Sequence, residues 1–150
     1  MKYRPMAVGD LDGLMPLLQM MYDEGQYTAL PWSRRVARGR ALMLIAKDDM
    51  TLLGVWDDDT LVGFLGGVIT EHLVYAGKKA CREHFFYVMP EHRGRHVGKG
   101  LLDQLEAWAK MKGAYSLALD VSSGIETDKT VRLFGLFGYE QTGVLMEKEI

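Results

Sequence analysis

Residues 90–102 read PEHRGRHVGKGLL, with Gly94, Gly98 and Gly100 set among His92, Arg93, Arg95, His96 and Lys99. A strand-like run, FFYVMP, leads into this stretch and a helix-like run follows it. A strand that ends in a glycine-rich turn and opens a helix aims free backbone N–H groups and the positive end of the helix dipole at one point. Such a point receives an anion, and a phosphate or pyrophosphate suits it best. Arg93, Arg95 and Lys99 add charge, while the glycines let backbone approach a ligand with no Cβ in the way. A second set of groups precedes the turn. Glu83 and His84 stand on the strand-like run, with Glu71 and His72 at the end of the run before it, and each is a type that moves protons.

The phosphate readings differ in what they demand. A Walker A loop needs four residues between its glycines and a hydroxyl after the lysine; here three residues separate Gly94 from Gly98, and Gly100 follows Lys99. A dinucleotide G-x-G-x-x-G is absent, and the strand is not followed by an acidic ribose ligand at the right distance. What remains is R-x-x-G-x-G over residues 95–100, inside the phrase V-x-P-E-x-R-G-x-x-V-G.

The elements that must position this turn follow from periodicity. Residues 2–7 predict a short strand. Asp10 is a suitable N-cap for a helix with Leu11, Leu14, Met15, Leu18, Met21 and Tyr22 on one face, which Pro16 should kink or split. Residues 24–32, EGQYTALPW, read as a loop, and Ser33 caps a second helix to about Ile45. Strands over 51–56 and 60–70 flank the turn Asp57-Asp58-Asp59, whose charge is explained by solvation. A strand over roughly 80–89, a helix from about Gly98 to Lys112 stopped by Gly113, and a strand over 115–121 form one right-handed parallel unit. A short helix around 128–137 and one or two last strands in 139–149 complete the order β-α-α-β-β-β-α-β-α-β. The fold class is α+β, a mixed, mostly antiparallel central sheet flanked by helices, in one domain spanning 1–150.

At this point the chain resembles the GNAT-type N-acetyltransferases. Their strand ending near V-x-P and the following R-G-x-G-x-G-x-x-L-L are similar to Val88-Met89-Pro90 and Arg93 to Leu102. The likeness extends to Val62-Gly63-Phe64 and to LFGLFGYE at 133–140. It implies the acyl-CoA N-acyltransferase fold, with acetyl-CoA or another acyl-CoA as donor and a small-molecule or peptide amine as acceptor. Amides of Arg93, Gly94, Arg95, His96, Val97 and Gly98, with the following Lys99 and Gly100, would hold the pyrophosphate. Val88 and Met89 would bond the pantetheine arm, and the Val88 amide would polarise the thioester carbonyl. Three positions depart from the pattern. His96 stands where the family has its first motif glycine, and Phe134, counted with the cofactor site, stands where a tyrosine usually donates a proton to the leaving thiolate; Thr127 stands where asparagine is common.

Direct attack needs a neutral amine, so a base is required, and the resemblance places it among cleft-facing groups of the central strands. Glu83 and His84 are neighbours in a strand and point to opposite faces, so one of them faces the cleft. Tyr87, Tyr115, Tyr139 or water would replace the missing acid. Tyr27, Trp32, Asp23 and Glu24, with Glu71 at the strand end, would shape the acceptor site; each also has an ordinary structural reading. A member of the same fold that binds CoA or a protein without catalysis is the alternative.

Bulk properties narrow the class. With 48% hydrophobic and 25% charged residues the chain is an ordinary globular protein, and its net charge of −2 gives nucleic acid no electrostatic purchase. No apolar run is long enough for a membrane span, the N-terminus has no secretory h-region, and the sole cysteine, Cys81, suits a buried site in a reducing compartment. A cytoplasmic protein without membrane contact is the expectation. No histidine, cysteine or acid pattern has metal-ligand spacing. Among lookalikes a homodimer is common; the sequence leaves oligomeric state open.

Overall fold

The computed structural model describes all of residues 1–150 except His72, Leu73, Tyr75 and Glu149. Five strands form one sheet in the order β1-β2-β3-β4-β5: Lys2–Pro5, Met50–Asp57, Thr60–Glu71, Lys79–Val88 and Ala114–Ala118. Among the described residues four α-helices accompany them: α1 (Leu11–Glu24), α2 (Arg34–Ala46), α3 (Val97–Met111) and α4 (Thr127–Leu136). The first four strands pair antiparallel, and β4 pairs with β5 in parallel through the α3 crossover. A parallel neighbour cannot be reached by a tight turn, so a helix must make the connection.

Each face of the sheet carries its own core. Leu11, Leu14, Met15 and Leu18 of α1 and Leu44 of α2 meet Leu52, Phe64 and Tyr87 on one side. Leu101, Leu102 and Leu105 of α3 and Phe134 of α4 meet Val55, Val62, Leu65 and Val88 on the other. Strand alternation divides the apolar residues between the two layers, so β2 and β3 are buried along most of their length.

Local signals decide the element ends. Ser33 accepts from the Val36 amide at 3.3 Å and caps α2, and Gly113, at φ +80°, stops α3. Asp10 stands at the N-cap position of α1 as expected, but its side chain makes no cap hydrogen bond there. It ends a 3-10 turn over Val8–Asp10, accepts from the Ala7 amide, and takes a bidentate pair from Arg4 at 2.7 and 2.8 Å. That hydrogen bond with Arg4 holds its carboxyl down at about 2. Pro16 does not split α1, which runs unbroken to Glu24 with the proline on its exposed side. The strands predicted in 139–149 are not found among the described residues there. Val144, Leu145 and Met146 are exposed, and β5, itself largely exposed, offers little apolar surface to draw them in. Strand propensity without a surface to bury against does not make a strand.

Candidate functional site

The site begins where two paired strands part. β4 matches β5 only from Lys79 to Arg82, against Ala114 to Ala118. Beyond Arg82, β4 continues for six residues without its parallel partner, so its edge stands open over the five steps from Glu83 to Val88, roughly 17 Å at 3.3 Å per step. Glu83 stands at the fork. Its Oε2 accepts from the Asp120 amide at 3.2 Å, so the carboxylate bridges the diverging strands. Burial there pushes its pKa up to about 7, against the pull of that amide hydrogen bond.

A bulge decides which way the neighbouring side chains face. Glu83 pairs with Gly67 and Phe86 with Leu65, so His84 and Phe85 together oppose Gly66. The simple alternation expected from sequence, Glu83 with Phe85 and Tyr87, is therefore broken. Phe86 and Val88 pack in the α3 layer while Phe85 and Tyr87 pack in the α1–α2 layer. His84 is exposed and lies against Phe85, ring centroids 4.6 Å apart. Burial and the charge of Arg40 on α2 lower its pKa.

Backbone polarity along the end of β4 is equally definite. The Met89 amide donates to the Val62 carbonyl at 2.9 Å. The adjacent pair, Gly63 and Val88, is then of the non-hydrogen-bonded kind, which turns the Val88 N–H and C=O away from β3 and toward the cleft. The Met89 carbonyl accepts from the His92 amide, which ties the strand end to the turn that follows.

The glycine turn follows. Among the described residues, none of the six amides from Gly94 to Lys99 makes a hydrogen bond of normal geometry, and no side chain caps α3. The first bond of that helix is Gly100 N–H to His96 C=O, 3.0 Å. Gly94 and His96 are left-handed, at φ +75° and +59°. Position 96 thus adopts the conformation that glycine takes most readily. The register anchored on Pro90 and Leu101-Leu102 is thereby consistent with a histidine doing a glycine's backbone work. Arg95 is exposed, and no described residue pairs with it. Lys99 is held by Asp103 at 2.7 Å.

Several residues expected in the ligand site also hold the fold together. A Cβ on Gly100 would lie 2.4 Å from the Tyr3 ring, so this glycine admits β1 against α3. A Cβ on Gly98 would press on Phe86 at 3.2 Å. Phe134 is buried and stacks on Phe86, centroids 6.0 Å apart and planes 12° from parallel. Arg93 donates from Nε to the Val88 carbonyl (2.9 Å) and from Nη2 to Glu24 (2.6 Å). Tyr87 donates to the other Glu24 oxygen at 2.9 Å, and burial followed by that hydrogen bond raises its pKa. Burial and a bond to Glu106 do the same to Tyr139.

On the α1–α2 side, Trp32 packs on Tyr22, ring centroids 5.4 Å apart, with Tyr27 more exposed. Gln26 reaches the β5–α4 segment, donating its amide to Ser123 O (2.9 Å) and its side-chain nitrogen to Ser122 O. Glu71 lies away from the cleft, opposite Lys79 at the hairpin end of β3, and His72 falls outside the described residues. Asp120, Gln26 and the His92–Asp57 approach at 3.9 Å were not legible as site features, because contacts between distant loops have no periodic signature. Among the described residues no cluster of His, Cys, Asp and Glu could hold a metal ion, and no helix is long and apolar enough to cross a membrane.

Known proteins share this architecture. The fold matches a transcriptional regulator from Bacillus halodurans C-125 with a TM-score of 0.81 at 17% identity, over 99% of both chains. It matches a ribosomal-protein-alanine N-acetyltransferase from Brucella melitensis biovar Abortus 2308 with a TM-score of 0.78 at 19% identity, over all of both chains. AAC(6')-Iy, solved in complex with the bisubstrate analogue CoA-S-monomethyl-acetylneamine, aligns with a TM-score of 0.77 at 18% identity, over 99% of this chain and 97% of its own. Among curated proteins no sequence matches this chain significantly. The family model of the acetyltransferase (GNAT) family matches residues 12–139. With that match spanning most of its length and the acyl-CoA N-acyltransferase fold around it, the chain belongs to the GNAT acetyltransferase family.

Proposed function

We propose that the protein is an N-acetyltransferase that moves the acetyl group of acetyl-CoA to a primary amine by direct attack on the thioester, residues 1–150 acting as one domain. The observation that carries this reading is the succession along the chain of the Val88 amide, turned into the cleft, and the six amides of Gly94 to Lys99, which make no hydrogen bond of normal geometry among the described residues. A pyrophosphate on the turn would have its charge met by those amides and by Arg95. An extended pantetheine arm would then run along β4, where β5 has left its edge open.

Glu83 has the proton affinity of a general base, and since roughly 17 Å of β4 separates it from Val88 it acts on the amine through intervening water. A carboxylate titrating near 7 is half-ionised at neutral pH, and its pKa lies closest to the ideal for accepting a proton there. Through that water it takes the proton of the attacking amine, the new C–N bond forms, and the C–S bond breaks to release a thiolate. The Val88 N–H stabilises the oxyanion that develops between these events. Tyr87 and Tyr139 both already donate to carboxylates, so water protonates the thiolate, a good leaving group near neutral pH. Tyr22, Tyr27 and Trp32 form the apolar side of the acceptor site.

The phenylalanine at 134 favours one second reading, a member of the fold that binds CoA without turnover. Thermal denaturation with acetyl-CoA, CoA and ATP, followed by release of free CoA thiol across an amine panel, separates the two. Stabilisation by CoA species with thiol release is the expected result, because a ligand that binds only the native state must stabilise it. Stabilisation without release would favour the silent binder, and no stabilisation would exclude both.

A further inference from the structure

Glu24, the last residue of α1, has both carboxylate oxygens engaged, one by the Tyr87 hydroxyl and one by the Arg93 guanidinium. The same guanidinium reaches back to the carbonyl of Val88, five residues earlier, and lies over the Tyr87 ring at 5.3 Å. Arg93 therefore staples the two ends of the Val88–Arg93 connection, which joins the oxyanion amide to the phosphate turn. Only a planar, forked donor can hold a carbonyl and a carboxylate at once. Glu24 supplies the charge that keeps this fork turned inward, away from the phosphates.

We infer that Glu24 is a positioning residue for the donor site, acting through Arg93 to fix the Val88 carbonyl and the glycine turn in binding geometry. The inference rests on the reading that CoA binds at this turn. It departs from the sequence expectation that Glu24 receives the acceptor amine, because an ammonium at Glu24 would have to displace a guanidinium already bonded there. Electrostatic stabilisation of the fold is not its main effect. The two side chains keep 32% and 29% of their surface in solvent, and ion pairs of that exposure contribute little to stability.

The test compares wild type, E24Q, R93K and the double variant by titration calorimetry with CoA, thermal unfolding without ligand, and steady-state kinetics. Gln at 24 retains an acceptor for Tyr87 but not the charge that orients Arg93, and Lys at 93 cannot span both partners. E24Q and R93K should each weaken CoA about tenfold, the size of one lost oriented charge contact. The double variant should lose no more than either single change, since both cut one chain of contacts. The KM for acetyl-CoA rises while kcat stays within about twofold and the amine KM is unmoved, the split expected when donor binding alone is lost. Ligand-free Tm should fall by no more than about 4 °C. Unchanged CoA affinity in E24Q, additive losses in the double variant, or a rise in amine KM in place of the donor KM would each overturn the inference while leaving the proposed function standing. A wild-type chain that does not bind CoA would overturn both.

Discussion

Lys79–Arg82 and Glu83–Val88 are successive parts of one strand with opposite duties. The first is zipped to β5 on one side and β3 on the other, and its Cys81 lies fully inside the core. Burial raises the Cys81 thiol to about 11, so it stays protonated and inert. The second part keeps β3 but has lost β5, so its outward backbone groups face the cleft. Pairing on both edges stabilises; pairing on one edge leaves donors for a ligand. Glu83 is the hinge of this comparison, the first residue past the last β4–β5 pair, and it carries the perturbed carboxyl.

Changing Glu83 should break the comparison with the largest effect. E83Q keeps the shape and the fork but removes the base, so kcat should fall by about 10²–10³-fold. Wild-type activity should rise with pH through about 7, and that limb should vanish in the variant. Stability should move the other way. The folded-state pKa is raised, so the native protein binds the proton more tightly than the unfolded chain. The associated stability is present below the unfolded value near 4.5 and is lost as pH climbs through about 7. Unfolding midpoints of E83Q, measured from pH 4.5 to 8, should lack that decline. A variant with wild-type activity and the same pH-dependent decline would remove Glu83 from the mechanism.

Next in size are the glycines, where the turn divides into packing and ligand-facing positions. G100A must drive a methyl into the Tyr3 ring, and overpacking of this kind costs about 1–3 kcal/mol. Urea denaturation should show that loss with β1 the first element to weaken. Nothing lies within 4 Å of a Cβ at Gly94, where the obstacle is only its positive φ. G94A should therefore cost about 1 kcal/mol from backbone strain. A G100A chain as stable as wild type would mean that α3 and β1 are not held by this contact.

The fold was legible in the sequence wherever a pattern repeats. The apolar stripes of α1 and α3, the Ser33 cap, the hairpin at Asp57–Asp59 and the crossover over 80–121 all express a period or a terminator. The glycine turn was legible because its glycines and basic residues are contiguous. The bulge at His84–Phe85 was not, since it depends on which residue of β3 stands opposite. Nor was the engagement of Arg93 by Glu24, whose partners are 69 residues apart. The last strand failed for the converse reason: the pattern is present, but the described part of the fold offers it nothing to cover.

The smallest effect tests how far the turn works through its backbone. His96 holds φ +59°, a conformation that costs a residue with a Cβ about 1–2 kcal/mol. Glycine would relieve that cost but lose roughly 0.5–1 kcal/mol of it to the greater freedom of the unfolded chain. H96G should accordingly raise stability by about 0.5 kcal/mol, which in a chain of this size lifts Tm by roughly 1–2 °C. CoA affinity should stay within about twofold, because the amide at 96 remains where it was. A larger loss of affinity would assign the imidazole a direct contact with phosphate. The ligand-facing part of the molecule would then read its anion through side chains as well as main chain, and removing the Arg95 charge should compound the loss.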